Sequence, residues 1–495
     1  MGKGQSLPRH RRSLVRPLRV LFLSAEASPL AKVGGLGDVG GELPQALRRL
    51  GLDVRSSLPR YPSIDLAPTA ARTRRTLTVM RGDEAMAGTL FRRSVRAVPY
   101  LLIDGEPVAR DRAIYGGGRL EGEKFIFWCL GALAACRALR WAPDVVHAHD
   151  WHAAAAVAWL AQQRARDPFW KDTATVLTIH NLGYAGAGNE DAWRDFGLPS
   201  VRGSSVPVWA RSLPLASALS SADAVTTVSP SYAREITTAE SGFGLEPILR
   251  GRTAGPVGIL NGIDPDVWNP AVDRALVTRF TFESLERRAK NKASLLAELG
   301  FERQDEAPLL VFIGRLERQK GIDLALQALA TMLDTPWRAV VLGTGQGEME
   351  AMASSFEQGH PGRLRFRGVF DEALSRRLYG SSDIVLVPSR YEPCGLVQMI
   401  AMRYGAVPVV HAVGGLRDTV RDHASGTGTG FVFDEPSVEA LAAAIRRAIN
   451  LHRDPRAWRT LQRRAARTNF SWEKPAQAYA AVFRRTLRAH RARGA

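Results

Sequence analysis

The 495-residue sequence predicts an α/β protein of two Rossmann-like, doubly wound domains facing each other across a cleft. Three observations carry that reading. Short aliphatic runs alternate with helical patterns through the first half. The same alternation restarts after residue 300. Between the halves lies NGIDPDVWNPAVD (261–273), rich in Gly, Pro, Asn and Asp, which reads as the interdomain connection. Parallel strands covered by helices on both faces appear as unbroken apolar runs, because neither face meets water. The length suits more than one core.

In the first half the predicted strands are RVLFLSA (19–25), DVVHAHD (144–150), TVLTIHN (175–181) and AVTTVS (224–229). Leu43, Leu47 and Leu50, at i, i+4, i+7 spacing, mark the helix after the first of them. Pro44 is read as lying near that helix's start, where a missing N–H is tolerated. The apolar run Phe125–Cys136 is too short to span a bilayer and reads as a buried helix. In the second half LLVFIGRL (309–316) is a strand, followed by a helix repeating Ile322, Leu326, Leu329 and Leu333. The strands RAVVLGTG (338–345), RLRFRG (363–368), DIVLVPS (383–389) and VPVVHA (407–412) come next. The expected division is a disordered basic tail at 1–17, domains at 18–265 and 270–468, and a last helix in 469–495 that returns to the first domain.

The net charge is +18, and much of the excess sits at the two ends. Away from them no basic run is interleaved with aromatics, so nucleic acid is not the expected partner. The basic start followed by VLFLSA is interrupted by Glu26, which argues for a strand rather than a signal peptide. MGKGQS formally fits a myristoylation pattern, but no second membrane signal accompanies it. Three cysteines do not make a disulfide framework. If their segment is helical, Cys129 and Cys136 are about 10 Å apart, too far to bridge. The expectation is a cytoplasmic protein without a membrane partner.

In an open α/β sheet the loops after the strands hold the chemistry, and six motifs fall there. SAEASPLAKVGGLGDVGGELPQAL (24–47) contains Gly35, Gly37 and Gly40, which formally satisfy G-x-G-x-x-G. The loop before these glycines is too long for the dinucleotide turn, and Asp53 lies at the start of the next strand rather than its end, so the motif is not read as a dehydrogenase fingerprint. It reads instead as a loop presenting Lys32 and backbone N–H groups to an anion at a helix start. HAHDWHAA (147–154) offers three histidines, but Asp150 directly follows His149 and Trp151 separates it from His152, which is the wrong order for a metal site. No metal and no cofactor is expected. Asp150, at a strand's carboxyl end, could bond sugar hydroxyls.

His180, in TIHNLGYAG (178–186), ends a strand and faces the cleft. FIGRLERQKGIDL (312–324) delivers Arg315 from a strand and Lys320 at a helix start, two cations able to hold a diphosphate. PSRYEPCGLVQMIAM (388–402) sets Glu392 in a turn before a helix. VGGLRDTV (413–420) has the Gly-Gly turn that lets backbone approach a ligand closely.

KVGGLGDV, HAHDWH, TIHNLGYAG, VSPSYAREI, ILNGIDPDVWNP, GRLERQKG, SRYEPCGL and VGGLRDTV stand in the order found in bacterial glycogen synthases and plant starch synthases, and the likeness runs from about residue 18 to 485. The chain resembles that family. The resemblance implies the GT-B fold, with an acceptor-side starch synthase catalytic domain first and a nucleotide-sugar domain second. It implies a metal-free hexosyl transfer that retains configuration, from ADP-glucose, with UDP-glucose the alternative donor, to glycogen or another α-1,4-glucan. It implies catalytic roles for Glu392, Arg315, Lys320 and His180. Substrate contacts would come from Lys32, Gly34, Gly35, Asp38, Asp150, Asn261, Phe370, Cys394, Gly395, Leu396, Gly414 and Gly415, with Phe370 stacking on the base. His411 and Val413 depart from the family's usual arginine and threonine. Residues 115–128 lack its usual Asp-Asn pair, and Gly37 stands where alanine is usual. The rival readings are another retaining GT-B transferase with a different acceptor, and a catalytically silent glucan-binding regulator.

Overall fold

The computed structural model describes residues 16–66, 74–203, 206–301 and 307–494. The first fifteen residues of the expected disordered tail lie outside this range.

Two sheets form. The first has nine strands in the order β3-β4-β5-β2-β1-β6-β7-β8-β9. These are β1 Arg19–Leu23, β2 Asp53–Pro59, β3 Arg75–Arg81, β4 Glu84–Val95, β5 Val98–Gly105, β6 Val145–His149, β7 Ala174–Ile179, β8 Ala224–Thr227 and β9 Val257–Gly258. The second has six, in the order β12-β11-β10-β13-β14-β15. These are β10 Leu309–Ile313, β11 Arg338–Leu342, β12 Leu364–Arg367, β13 Ile384–Val387, β14 Val407–His411 and β15 Phe431–Phe433. Every pairing in the second sheet is parallel. In the first, β5, β2, β1, β6, β7, β8 and β9 run parallel, and β4 and β3 add an antiparallel edge. In both sheets the order reverses beside the first strand, β1 or β10, and such switch points are where ligands bind.

The helix Gly118–Ala138 buries the Phe125–Cys136 run. No helix among the described residues is long and apolar enough to cross a membrane. The last helix, Glu473–Gly494, lies on the first sheet. Its Tyr479 and Phe483 share a core with Val20, Phe22, Leu43 and Leu47. The chain therefore passes between the sheets twice, and the two passages meet: Ile263 N–H donates to the Phe470 carbonyl at 2.8 Å, and a Cβ at Gly262 would stand 2.8 Å from the Trp472 backbone nitrogen. Arginines at both ends of the chain are tied down. Arg16 and Arg491 reach Asp144, and Arg493 joins Arg164 on Asp223.

The first helix corrects the sequence reading in three ways. It begins at Gly35 and runs to Arg49, so Gly37 and Gly40 are inside it rather than in a loop, and Pro44 is interior rather than near the start. The Gly40 carbonyl, which an N–H at position 44 would have served, faces the Tyr100 hydroxyl at 3.4 Å instead. Leu50 caps the helix and is 38% exposed, outside the core stripe.

Candidate active site

Glu26, three residues past the first strand's buried end, organises the loop before the first helix. It is almost wholly buried, and its Oε2 accepts the N–H groups of Val33 at 2.6 Å and Gly34 at 2.9 Å. Its Oε1 accepts the Tyr115 hydroxyl. Two of the backbone donors expected to face an anion are thus already occupied by Glu26. The helix comes so close to this segment that a Cβ at Gly40 would stand 2.1 Å from the Glu26 carbonyl oxygen, so only glycine fits. Lys32 pairs with Asp38 at 2.6 Å. A Cβ at Gly35 would lie 3.6 Å from Leu396 of the other domain, so this loop reaches across the cleft.

The turn after β6 places Asp150 in the left-handed region, φ 53°. Its Oδ1 accepts the N–H groups of His180 at 2.6 Å and Asn181 at 3.4 Å, fixing the turn after β7. Burial pushes the Asp150 carboxyl up to about 7. Burial likewise holds the His180 imidazole down at about 3, which keeps it neutral, and its Nε2 meets Nδ1 of His149 at 2.8 Å. The other histidines of HAHDWH point elsewhere. His147 bonds Thr178 and packs on Phe22, Tyr479 and Phe483, and His152 lies against Tyr115 and Phe125.

On the opposite side, β10 leads to Arg315, and a 3₁₀ turn over Arg318–Lys320 carries the lysine. Lys320 Nζ stands 2.6 Å from Glu392 Oε2, which also accepts the Ser389 hydroxyl at 3.0 Å. Arg315 pairs with Glu317 at 2.9 Å and donates to the Tyr184 hydroxyl at 3.4 Å. Asp323 is bound in two-pronged fashion by Arg390, so it does not neutralise Lys320.

Gly395, φ 73°, and Gly414, φ 43°, take the left-handed backbone that permits the two turns to interlock. A Cβ at Gly414 would be 2.0 Å from the Glu392 carbonyl oxygen, and one at Gly415 2.1 Å from that of Cys394. The buried Gln398 amide donates to the carbonyls of Cys394 and Gly395 and to Thr419, locking both turns. Asn261 is buried beside them with its Oδ1 unpartnered among the described residues. Phe370 holds its ring in solvent, 83% exposed.

Contacts also cross the cleft directly. The Ser229 hydroxyl donates to the Pro393 carbonyl at 2.6 Å, and Ser231 bonds Asp418. Glu235 accepts the Gly414 N–H at 2.7 Å, so that donor of the Gly-Gly turn is engaged by protein. His411 sits between the carbonyls of Ser389 and Asp434 and stacks on Phe433. In the 115–128 segment, the fully buried Lys124 bonds Asp111 at 2.7 Å, so that region is anchored within the first domain.

The structure therefore gathers Arg315, Lys320, Glu392, Cys394, Gly395, Leu396, Gly414, Gly415 and Asn261 on one wall. Lys32, Gly34, Gly35, Asp38, Asp150 and His180 stand on the other. Sequence reasoning missed Glu26, Tyr115, Ser389, Gln398 and Glu235. Two carried a signal: Glu26 breaks an apolar run at a strand's end, and Gln398 is a lone polar residue in LVQMIAM.

Residues 19–251 match the starch synthase catalytic domain family, and residues 300–465 match glycosyl transferases group 1. The chain is 41% identical to a glycogen synthase of Anaeromyxobacter sp. (strain Fw109-5) over 476 residues, covering 94% of this chain and 99% of that protein. It is 37% identical to a glycogen synthase of Syntrophotalea carbinolica, covering 96% and 100%. The catalytic domain of starch synthase IV from Arabidopsis thaliana, solved bound to ADP and acarbose, superposes with a TM-score of 0.87 at 30% identity, covering 95% of this chain and all of that one. Sucrose-phosphate synthase from Thermosynechococcus elongatus, at 19% identity and a TM-score of 0.62, shares the fold.

Proposed function

The chain belongs to the glycogen and starch synthase family of glycosyltransferases, and on that premise we propose that it transfers glucose from ADP-glucose to the non-reducing end of an α-1,4-glucan with retention of configuration. The observation that carries the proposal is the Lys320–Glu392–Ser389 cluster at the carboxyl ends of β10 and β13, beside Arg315, which reaches Tyr184 in the loop that follows His180.

Cleavage of the sugar–phosphate bond leaves positive charge on the sugar and added negative charge on the diphosphate. Arg315 and Lys320 stabilise the departing anion, and preorganised charge of this kind acts most strongly where charge develops. The Glu392 carboxylate faces the electron-poor sugar carbon. His180, held neutral by burial, bonds a sugar hydroxyl without adding charge. Asp150 spends Oδ1 on the backbone that positions His180 and offers its other oxygen to the sugar. Asn261, with an unpartnered Oδ1, accepts a hydroxyl hydrogen, which removes the cost of its burial. The acceptor hydroxyl attacks on the face the diphosphate leaves, which retains the α configuration.

Nucleotide release from ADP-glucose and UDP-glucose, with and without glycogen, tests this. Release that requires glycogen and is faster with ADP-glucose supports it. Release that ignores glycogen, or a clear preference for UDP-glucose, contradicts it.

A further inference from the structure

Three large aromatic side chains are left in water on one side of the cleft: Trp209 at 59% exposure, Tyr184 at 50% and Phe243 at 43%. They form a connected band. A Cβ at Gly244 would lie 2.7 Å from Cζ2 of Trp209, so the indole rests directly on the backbone next to Phe243. A Cβ at Gly183 would lie 3.3 Å from the Phe243 ring, so that ring covers the backbone next to Tyr184. The Phe243 ring meets Tyr391 edge-on at 5.6 Å, and Tyr391 precedes Glu392. The Tyr184 hydroxyl accepts from Arg315. The band therefore starts at the reacting cluster and runs outward over the first domain. Phe243 holds its ring there from a left-handed backbone, φ 51°, that a non-glycine residue adopts only at a cost.

A contiguous exposed apolar patch marks a binding surface. Continuity with Glu392 and Arg315 selects the occupant, because the molecule lying there must also reach the reacting hydroxyl. Pyranose rings present apolar C–H faces that stack on aromatic rings and hydroxyl edges that bond polar groups at the rim. We propose that Trp209, Phe243 and Tyr184 form an extended acceptor track that grips an α-glucan several residues away from the sugar being elongated. The proposal rests on the glucan-acceptor reading above. Its consequence is selectivity for chain length: long acceptors use the track, and short ones end before it.

The test compares maltose, maltoheptaose and glycogen as acceptors for wild type, Trp209→Ala and Phe243→Ala, and adds tryptophan fluorescence titration with maltoheptaose in the absence of donor. The expected result is a rise of about tenfold per variant in KM for glycogen and maltoheptaose, the scale of one aromatic stacking contact. KM for ADP-glucose, kcat at saturation and rates with maltose stay at wild-type values, and fluorescence quenching is lost in Trp209→Ala. Because Trp209 is exposed, the variant folds, and Trp209→Phe should restore most of the glycogen affinity. Unchanged glycogen KM in both variants overturns the track. So does an equal loss with maltose, or a change in sedimentation in place of a change in KM, which would assign the face to a second copy of the chain. Wild type that binds maltoheptaose through Trp209 yet transfers no glucose leaves the track standing and overturns the transferase reading instead.

Discussion

The Lys320 ammonium lies 2.6 Å from Glu392 Oε2, joining a turn after β10 to a turn after β13. Each group thereby holds the other in place before any donor arrives. Lys320 exchanges part of this pairing for the diphosphate as negative charge grows there, so its contribution rises toward the transition state. Lys320→Ala should lower kcat by about two to three orders of magnitude, the scale of removing one preorganised charge-stabilising donor. Steady-state kinetics with varied donor check this. A wild-type kcat would assign Lys320 to a partly exposed ion pair, worth about 0–1 kcal/mol.

Glu392→Ala alone should nearly abolish transfer. Because the two residues touch, the Lys320→Ala, Glu392→Ala double variant should lose much less than the product of the two single losses, as groups acting as a unit do. A double-mutant cycle on kcat/KM measures the coupling. Strict additivity would mean that the pair seen here does not persist in the reacting complex.

Glu26 makes the KVGGL loop depend on one buried carboxylate. Glu26→Gln keeps the shape but gives one of its oxygen positions an amide that cannot accept from Val33, Gly34 or Tyr115. Gly40→Ala drives a methyl group into the Glu26 carbonyl, where only 2.1 Å is available. Both should reduce kcat/KM, and Gly40→Ala should also destabilise the fold by about 1–3 kcal/mol, the usual cost of overpacking a tight site. Urea unfolding and kinetics on the two variants separate the effects. Wild-type activity in Glu26→Gln would show that the loop orders itself without that carboxylate.

Much of this architecture is legible in the sequence because strands such as Leu309–Ile313 and Ala174–Ile179 are buried on both faces and read as aliphatic runs. The antiparallel edge strand of the first sheet is not: Arg75–Arg81 alternates exposed and buried positions and carries arginine at both ends, so it does not stand out. Arg315, Lys320, His180 and Glu392 could be nominated because each follows a legible strand. Their partners could not, since Lys320–Glu392 and Glu235–Gly414 join residues far apart in the chain. Pro44 misled because proline usually marks a helix start, whereas here the Tyr100 hydroxyl faces the carbonyl the ring leaves unserved.

Burial holds His152 and His180 down at about 3, and His147 and His149 well below the ordinary imidazole value. An unfolded chain would protonate all four below about pH 6.5. These groups therefore contribute stability that is fully present above that pH and is lost as pH falls toward their folded values. Buried carboxyls act the other way, Asp150 and Glu42 strongly and Asp38, Asp104 and Glu121 less so. Burial raises Asp150 to about 7 and Glu42 to about 8, so between pH 5 and 6.5 the folded chain keeps two protons that the unfolded chain has released. At pH 5 the four histidines outnumber the two strongly raised carboxyls, so on those six groups unfolding takes up protons and stability should rise with pH, by about 1.4 kcal/mol per pH unit for each net proton, a slope that Asp38, Asp104 and Glu121 reduce. Urea unfolding at pH 5.0, 5.5 and 6.0 at fixed ionic strength gives the slope. The contribution should taper toward pH 6.5 as the unfolded histidines lose their protons. A falling profile at the acid end would mean that the histidines at the carboxyl ends of β6 and β7 are protonated in the folded protein, and that His180 meets the sugar as a cation.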